Sequence, residues 1–180
     1  MKTIYVIAAG LMLSLAAKAQ NFTLKSSDLQ GQATSKQVYN GFGCTGSNIS
    51  PQLSWENAPE GTKSFAIVMY DPDAPTERGW MHWVAFDIPV TTKEIKSGSG
   101  DPDKTTLPKD VIQSITDYGI YGYGGPCPPE GDKPHKYEIT VFALKTAKLG
   151  LDKNTNPSIV GFYINANTLA KATLTAYYQR

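Results

Sequence analysis

The sequence predicts a mainly β protein, and three observations carry that expectation. Residues 64–70, 83–88 and 137–144 alternate with a period near two and are rich in β-branched and aromatic side chains. Each of the three is bounded by proline or glycine, and 16 Gly and 12 Pro mark a loop-rich globular chain rather than a disordered, collagenous or coiled-coil one. The connections at 40–51, 71–79, 96–108 and 119–134 are rich in Pro, Gly, Asn and Ser, and connections this long in a small domain commonly carry function. Residues 22–24 and 52–55 are shorter strand candidates.

A length of 180 residues fits one domain, and no internal repeat or linker divides it. Residues 1–19 are expected to be a secretory signal. Lys2, the apolar run 4–17 and Ala17-Lys18-Ala19 supply its basic, apolar and small-residue parts, with cleavage after Ala19. The run is too short, and too quickly followed by Gln20 and Asn21, to read as a membrane span. Residues 20–180 are therefore expected to form a single exported domain, periplasmic or secreted. Seventeen Lys and Arg against 16 Asp and Glu leave a net charge of +1, which gives no field for duplex nucleic acid or an anionic membrane. Any anion must be held by a local site.

Toward the end of the chain the pattern changes. Asn156 before Pro157 is a helix start signal, and Ile159, Phe162, Tyr163, Ala166, Leu169, Ala170, Thr173 and Ala176 recur at spacings of three to four. This predicts one helix, or two short ones broken near 165–167, with Lys171 and Arg180 toward its C-terminal end. Cys44 and Cys127 are free to pair in an oxidising compartment, or equally to serve as two small buried hydrophobes.

The chain has two histidines, and each stands where a loop enters a strand. His82 follows Asp71-Pro72-Asp73-Ala74-Pro75, and His135 follows Gly124-Gly125-Pro126-Cys127-Pro128-Pro129 and precedes Tyr137. If the strands are neighbours, two carboxylates, two imidazoles and a phenol meet at one mouth of the sheet. A carboxylate on one ring nitrogen would fix a histidine's tautomer and aim the other nitrogen outward as a donor to an anion. The backbone N–H of Gly125, stiffened by nearby prolines, would be a further donor. Asp-Pro-Asp alone is only a turn signal, and Asp101-Pro102-Asp103 repeats it in a Ser/Gly-rich loop. Trp55 and Trp83 are expected in the core.

Three ordered stretches make the chain recognisable: Gly46-Ser47-Asn48-Ile49-Ser50-Pro51-Gln52-Leu53-Ser54-Trp55; Asp71-Pro72-Asp73-Ala74-Pro75 with Trp80-Met81-His82-Trp83; and Tyr123-Gly124-Gly125-Pro126-Cys127-Pro128-Pro129-Glu130-Gly131 with His135-Lys136-Tyr137. They resemble the phosphatidylethanolamine-binding protein family, and within it the bacterial branch called Raf kinase inhibitor-like proteins. The resemblance implies an antiparallel two-sheet Greek-key fold with short flanking helices, a C-terminal helix and a small anion pocket at one end. On its motifs, Asp71, Pro72, Asp73, Trp80, His82, Gly125, Pro128, His135 and Tyr137 fall on pocket positions. The chain departs from the family at Lys136, where arginine is usual, at Ser114-Ile115-Thr116, and at Ala166-Asn167 and Thr173. These departures fall on the pocket rim and on the helix.

The expected function is non-enzymatic binding of a phosphate-type anion, either a phospholipid head group or a phosphorylated ligand, with no cofactor and no metal. His82 and His135 would donate to it and Tyr137 would add a hydroxyl, with tighter binding near pH 6 than near pH 8 because imidazolium is the better partner. Three other readings use the same residues. One is protease or kinase inhibition through a partner over rim residues 76–80 and 130–134. A second is a hydrolase with Cys127 as nucleophile, His135 as base and Asp73 as its orienter. The third is a metal site built from His82, His135 and an aspartate. Compatible partners are a small anion, a protein over the rim and a second copy in a homodimer.

Overall fold

The three alternating segments form the centre of one antiparallel sheet. A computed structural model describes residues 21–180, so the expected signal segment and its cleavage point lie outside the described residues. The strands are β1 (Thr23–Lys25), β2 (Asn40–Gly41), β3 (Cys44–Thr45), β4 (Leu53–Glu56), β5 (Ser64–Asp71), β6 (Trp80–Pro89), β7 (Glu94–Ile95), β8 (Ile112–Gln113), β9 (His135–Leu144) and β10 (Thr168–Tyr178). One helix, α1 (Pro157–Asn167), lies between the last two strands. The main sheet has the order β10-β9-β5-β6-β8, β1-β4-β7 form a second sheet, and β2-β3 form a small hairpin. Within the main sheet β9 returns to lie beside β5, which gives β9-β5-β6-β8 the spatial order of a Greek key.

Alternation along β5 assigns its side chains to two layers. Phe65, Ile67 and Met69 join Trp83, Ile139 and Val141 of neighbouring strands, and Leu53, Trp55 and Ile95 of the second sheet, in the larger core. Ala66 faces the other way, with Val84, Phe86 and Leu144, under Leu149 and the helix residues Val160 and Ile164. Burial on both faces explains why β5 is apolar almost throughout. Trp55 and Trp83 are core residues, as expected.

Helix α1 starts where the sequence places it. The side chain of Asn156 accepts from the Ser158 N–H at 2.9 Å, with Pro157 in the first turn. Its end is a correction. The chain leaves the helix at Thr168 and runs as β10 alongside β9, from Thr168 opposite Leu144 to Tyr178 opposite His135. Thr173, Thr175, Tyr177 and Tyr178 suit a pleated surface, and β9 would otherwise present a long unpaired edge. Leu169 and Thr173 misled the periodicity, because a spacing of four satisfies a period of two as well as a helical one. Lys171 therefore stands on a strand, and Arg180 follows that strand. Among the described residues α1 is the one helix, so the further flanking helices that the resemblance implies are not found.

Cys44 and Cys127 are joined by a disulfide across 83 residues, which ties the β2-β3 hairpin to the loop before β9. Replacing both cysteines with alanine should lower the urea unfolding free energy by about 2–5 kcal/mol, since the unfolded chain gains the freedom of a long loop. An unchanged unfolding midpoint would show that the hairpin is held without the bond.

Candidate functional site

Strand register gathers the candidate residues. β5 runs antiparallel to both neighbours, with Asp71 opposite Trp80 of β6 and Tyr70 opposite Glu138 of β9. The end of β5 must therefore lie beside the beginnings of β6 and β9, which carry His82 on one side and His135 and Tyr137 on the other. A cavity of about 170 Å³ opens there. Its polar lining is Asp71, His82, His135 and Tyr137, and its apolar lining includes Phe42, Pro75, Trp80, Tyr118, Pro128 and Pro129. Ala74, Thr76 and Cys127 complete the wall.

Asp71 is buried and fully engaged. One carboxylate oxygen accepts the N–H groups of Asp73 and Ala74 at 2.8 and 3.1 Å, closing the Asp-Pro-Asp turn. The other accepts from Nδ1 of His135 at 2.8 Å and so fixes that ring. Asp101 closes the same turn with Asp103 and Lys104, and the contrast shows that the histidine contact is what sets Asp71 apart. Nε2 of His135 lies 3.3 Å from the Asp132 carboxylate at the rim.

His82 is oriented by a backbone carbonyl instead of a carboxylate. Its Nδ1–H donates to the Gly124 carbonyl at 2.7 Å, and the ring is 2% exposed. Burial pushes its pKa down from 6.5 to about 4, outweighing the backbone of Gly124 and Gly125 and the Asp71 and Asp117 carboxylates, which favour the charged form. The expectation of a charged, donating His82 is thus corrected: the ring is neutral at pH 6 and at pH 8. Tyr137 is fully buried, and burial first, then the Asp71 carboxylate, holds its phenol far above the ordinary tyrosine range. Its hydroxyl and the indole Nε1 of Trp80 are buried without a hydrogen-bond partner among the described residues.

Three expected pocket residues stand behind the lining. Gly125 donates its N–H to Asn48 Oδ1 at 2.8 Å, so it offers no free donor, and a Cβ there would overlap the Gln37 carbonyl. Asp73 accepts from the Lys136 N–H at 2.9 Å and from Lys133, and that backbone contact, followed by Lys133, lowers its pKa. Pro72 shapes the turn without reaching the cavity. Cys127 is at the wall but bonded to Cys44, which leaves the hydrolase reading without a thiolate. Among the described residues no group of three His, Cys, Asp or Glu side chains is placed to hold a metal ion.

Other residues at the site carried no signal in the sequence reading. Tyr118 stacks on Tyr39 at 4.2 Å and on Phe42 at 5.6 Å, and its hydroxyl donates to the Gly125 carbonyl at 2.9 Å. Phe42 is 67% exposed at the mouth. Arg180 holds this wall from outside: Nε donates to the Pro128 carbonyl at 2.7 Å and Nη1 to the Gly43 carbonyl at 2.9 Å. The Asn-containing motif at 46–55 was visible, and its role is now clear, because Asn48 clamps both Tyr123 and Gly125.

The fold is that of a binding-protein family, and the sequence matches the family model described as phosphatidylethanolamine-binding protein over residues 25–179. The chain belongs to that family. It is 44% identical over 181 residues to the UPF0098 protein YbcL of Escherichia coli, covering 99% of both chains, and 42% identical over 143 residues to YbhB of the same organism, covering 79% of this chain and 89% of that one. The crystal structure of YbcL, described as a new member of the mammalian PEBP family, superposes with a TM-score of 0.86 at 46% identity, over 88% of this chain and 98% of that one.

The low pKa of His82 makes a prediction about stability. Below pH 6.5 the unfolded chain takes up a proton at this residue that the folded chain refuses until about pH 4. The stabilisation is complete above pH 6.5 and is lost as pH falls through 4. Urea unfolding should therefore show His82→Gln with a flatter profile over this range than the parent, by up to about 1.4 kcal/mol per pH unit. Parallel profiles would mean that the ring protonates in the folded state as readily as in the unfolded one.

Proposed function

We propose that this protein is a non-enzymatic binding module whose cavity takes a small phosphate-type anion, carried by a phospholipid head group or another phosphorylated ligand. The observation that carries the reading is the pair of buried donors without partners, the Tyr137 hydroxyl and the Trp80 indole N–H, beside a cavity that two imidazoles also line. An unsatisfied buried donor costs stability, and a ligand oxygen would satisfy it. The Asp71 carboxylate is already engaged by two N–H groups and His135, which lowers its repulsion of an anion. Membership of a family named for binding a phospholipid supports the same reading. The Cys44–Cys127 bond supports export to an oxidising compartment.

Tyr137→Phe separates a ligand contact from a structural one. Removing a hydroxyl with no protein partner should leave the urea unfolding free energy equal or higher by roughly 1 kcal/mol. It should at the same time weaken calorimetric binding of inorganic phosphate by about tenfold. Undiminished phosphate binding in a destabilised variant would assign the hydroxyl to the fold, and absence of phosphate binding by the parent protein would remove the anion reading itself.

A further inference from the structure

The orientation of His82 narrows the ligand. The Gly124 carbonyl can only accept, so the neutral ring carries its proton on Nδ1, and Nε2 keeps a bare lone pair. His82 lines the cavity, and Nε2 has no hydrogen-bond partner among the described residues. The titratable groups around the ring are Asp71 on β5, Asp117 and Tyr118 on the loop after β8, and His135 and Tyr137 on β9. None of them donates to Nε2, and the Tyr137 hydroxyl, though it keeps its proton, makes no hydrogen bond to the ring. Asp71 accepts from Asp73, Ala74 and His135, and Asp117 accepts from Arg78 and from the Met81 N–H. The Tyr118 hydroxyl donates to the Gly125 carbonyl. A lone pair in the cavity wall repels an anion that has no proton, and accepts from an anion that brings one.

We infer that the cavity selects the singly protonated form of a phosphomonoester, whose P–O–H donates to His82 Nε2 while its other oxygens accept from the Tyr137 hydroxyl and the Trp80 indole. This rests on the anion-binding reading of the same cavity and adds a ligand class to it. A phosphodiester has no such proton. To bind equally well it would require His82 to become charged, which burial opposes by holding the ring near pH 4. A phosphomonoester loses its second proton around pH 6, so the bound form is plentiful in mildly acidic solution and scarce above neutrality.

Calorimetric titrations of the full chain from pH 5 to pH 8 with methyl phosphate and dimethyl phosphate test this directly. The diester senses the titrations of the protein but has none of its own in this range, so the ratio of the two affinities isolates the ligand's proton. Methyl phosphate should bind at least about tenfold tighter at pH 5.5, with its advantage shrinking about tenfold per pH unit above the ligand's second pKa. Vesicles containing phosphatidic acid, a monoester, against phosphatidylglycerol, an anionic diester, separate the sources. Sedimentation with phosphatidic acid alone places the monoester on a lipid, and methyl phosphate binding without sedimentation places it on a soluble ligand. Equal binding of the two methyl esters, an affinity ratio independent of pH, or a preference for phosphatidylglycerol would overturn the inference while leaving anion binding intact. No binding of either ester at any pH would instead remove the anion reading, and this inference with it.

Discussion

The site depends on one constraint, the antiparallel pairing of β5 with β6 on one side and β9 on the other. Asp71, His82 and His135 are far apart in the chain, and only this pairing brings the end of one strand beside the beginnings of the other two. The register is in turn held by burial on both faces of the sheet. A slip of one residue along β5 would exchange Ile67 and Ala66 between layers built for different volumes. The geometry of the polar cluster is therefore set by core packing, and the loops need only finish it.

The loops finish it with contacts from distant parts of the chain. The β2-β3 hairpin has two residue pairs, too few for a stable hairpin alone, yet it presents Phe42 at the cavity mouth. Its position is fixed by the Cys44–Cys127 bond, by the stack of Phe42 and Tyr39 on Tyr118, and by Arg180 reaching the carbonyls of Gly43 and Pro128. Asn48 performs a similar task for the glycine strip, accepting from Gly125 and donating to the Tyr123 carbonyl. Gly125 is glycine because the Gln37 backbone lies where a side chain would be.

Much of this was legible in the sequence, for reasons that also explain what was not. The alternating segments could be read because a strand's pattern is local, and the three motifs pointed to Asp71, His82, His135 and Tyr137. What sequence could not show was which atom each side chain meets. Asp71 and Asp101 sit in identical Asp-Pro-Asp turns, and only a strand pairing gives the first a histidine partner. His82 is held by the Gly124 carbonyl, a contact across 42 residues, and burial disfavours the charged ring whose outward nitrogen would donate. Arg180 looked like a charge at a helix end because Leu169 and Thr173 fit two periodicities at once.

Two histidines at one cavity thus have different partners, one a buried carboxylate and the other a backbone carbonyl. The state of the His82 ring is the statement on which the chemistry turns. Long-range ¹⁵N–¹H correlation spectra of the imidazole at pH 7 read it without any ligand. The account predicts a neutral ring, protonated at Nδ1 and bare at Nε2; a proton on Nε2, in either the other tautomer or the imidazolium, would contradict it.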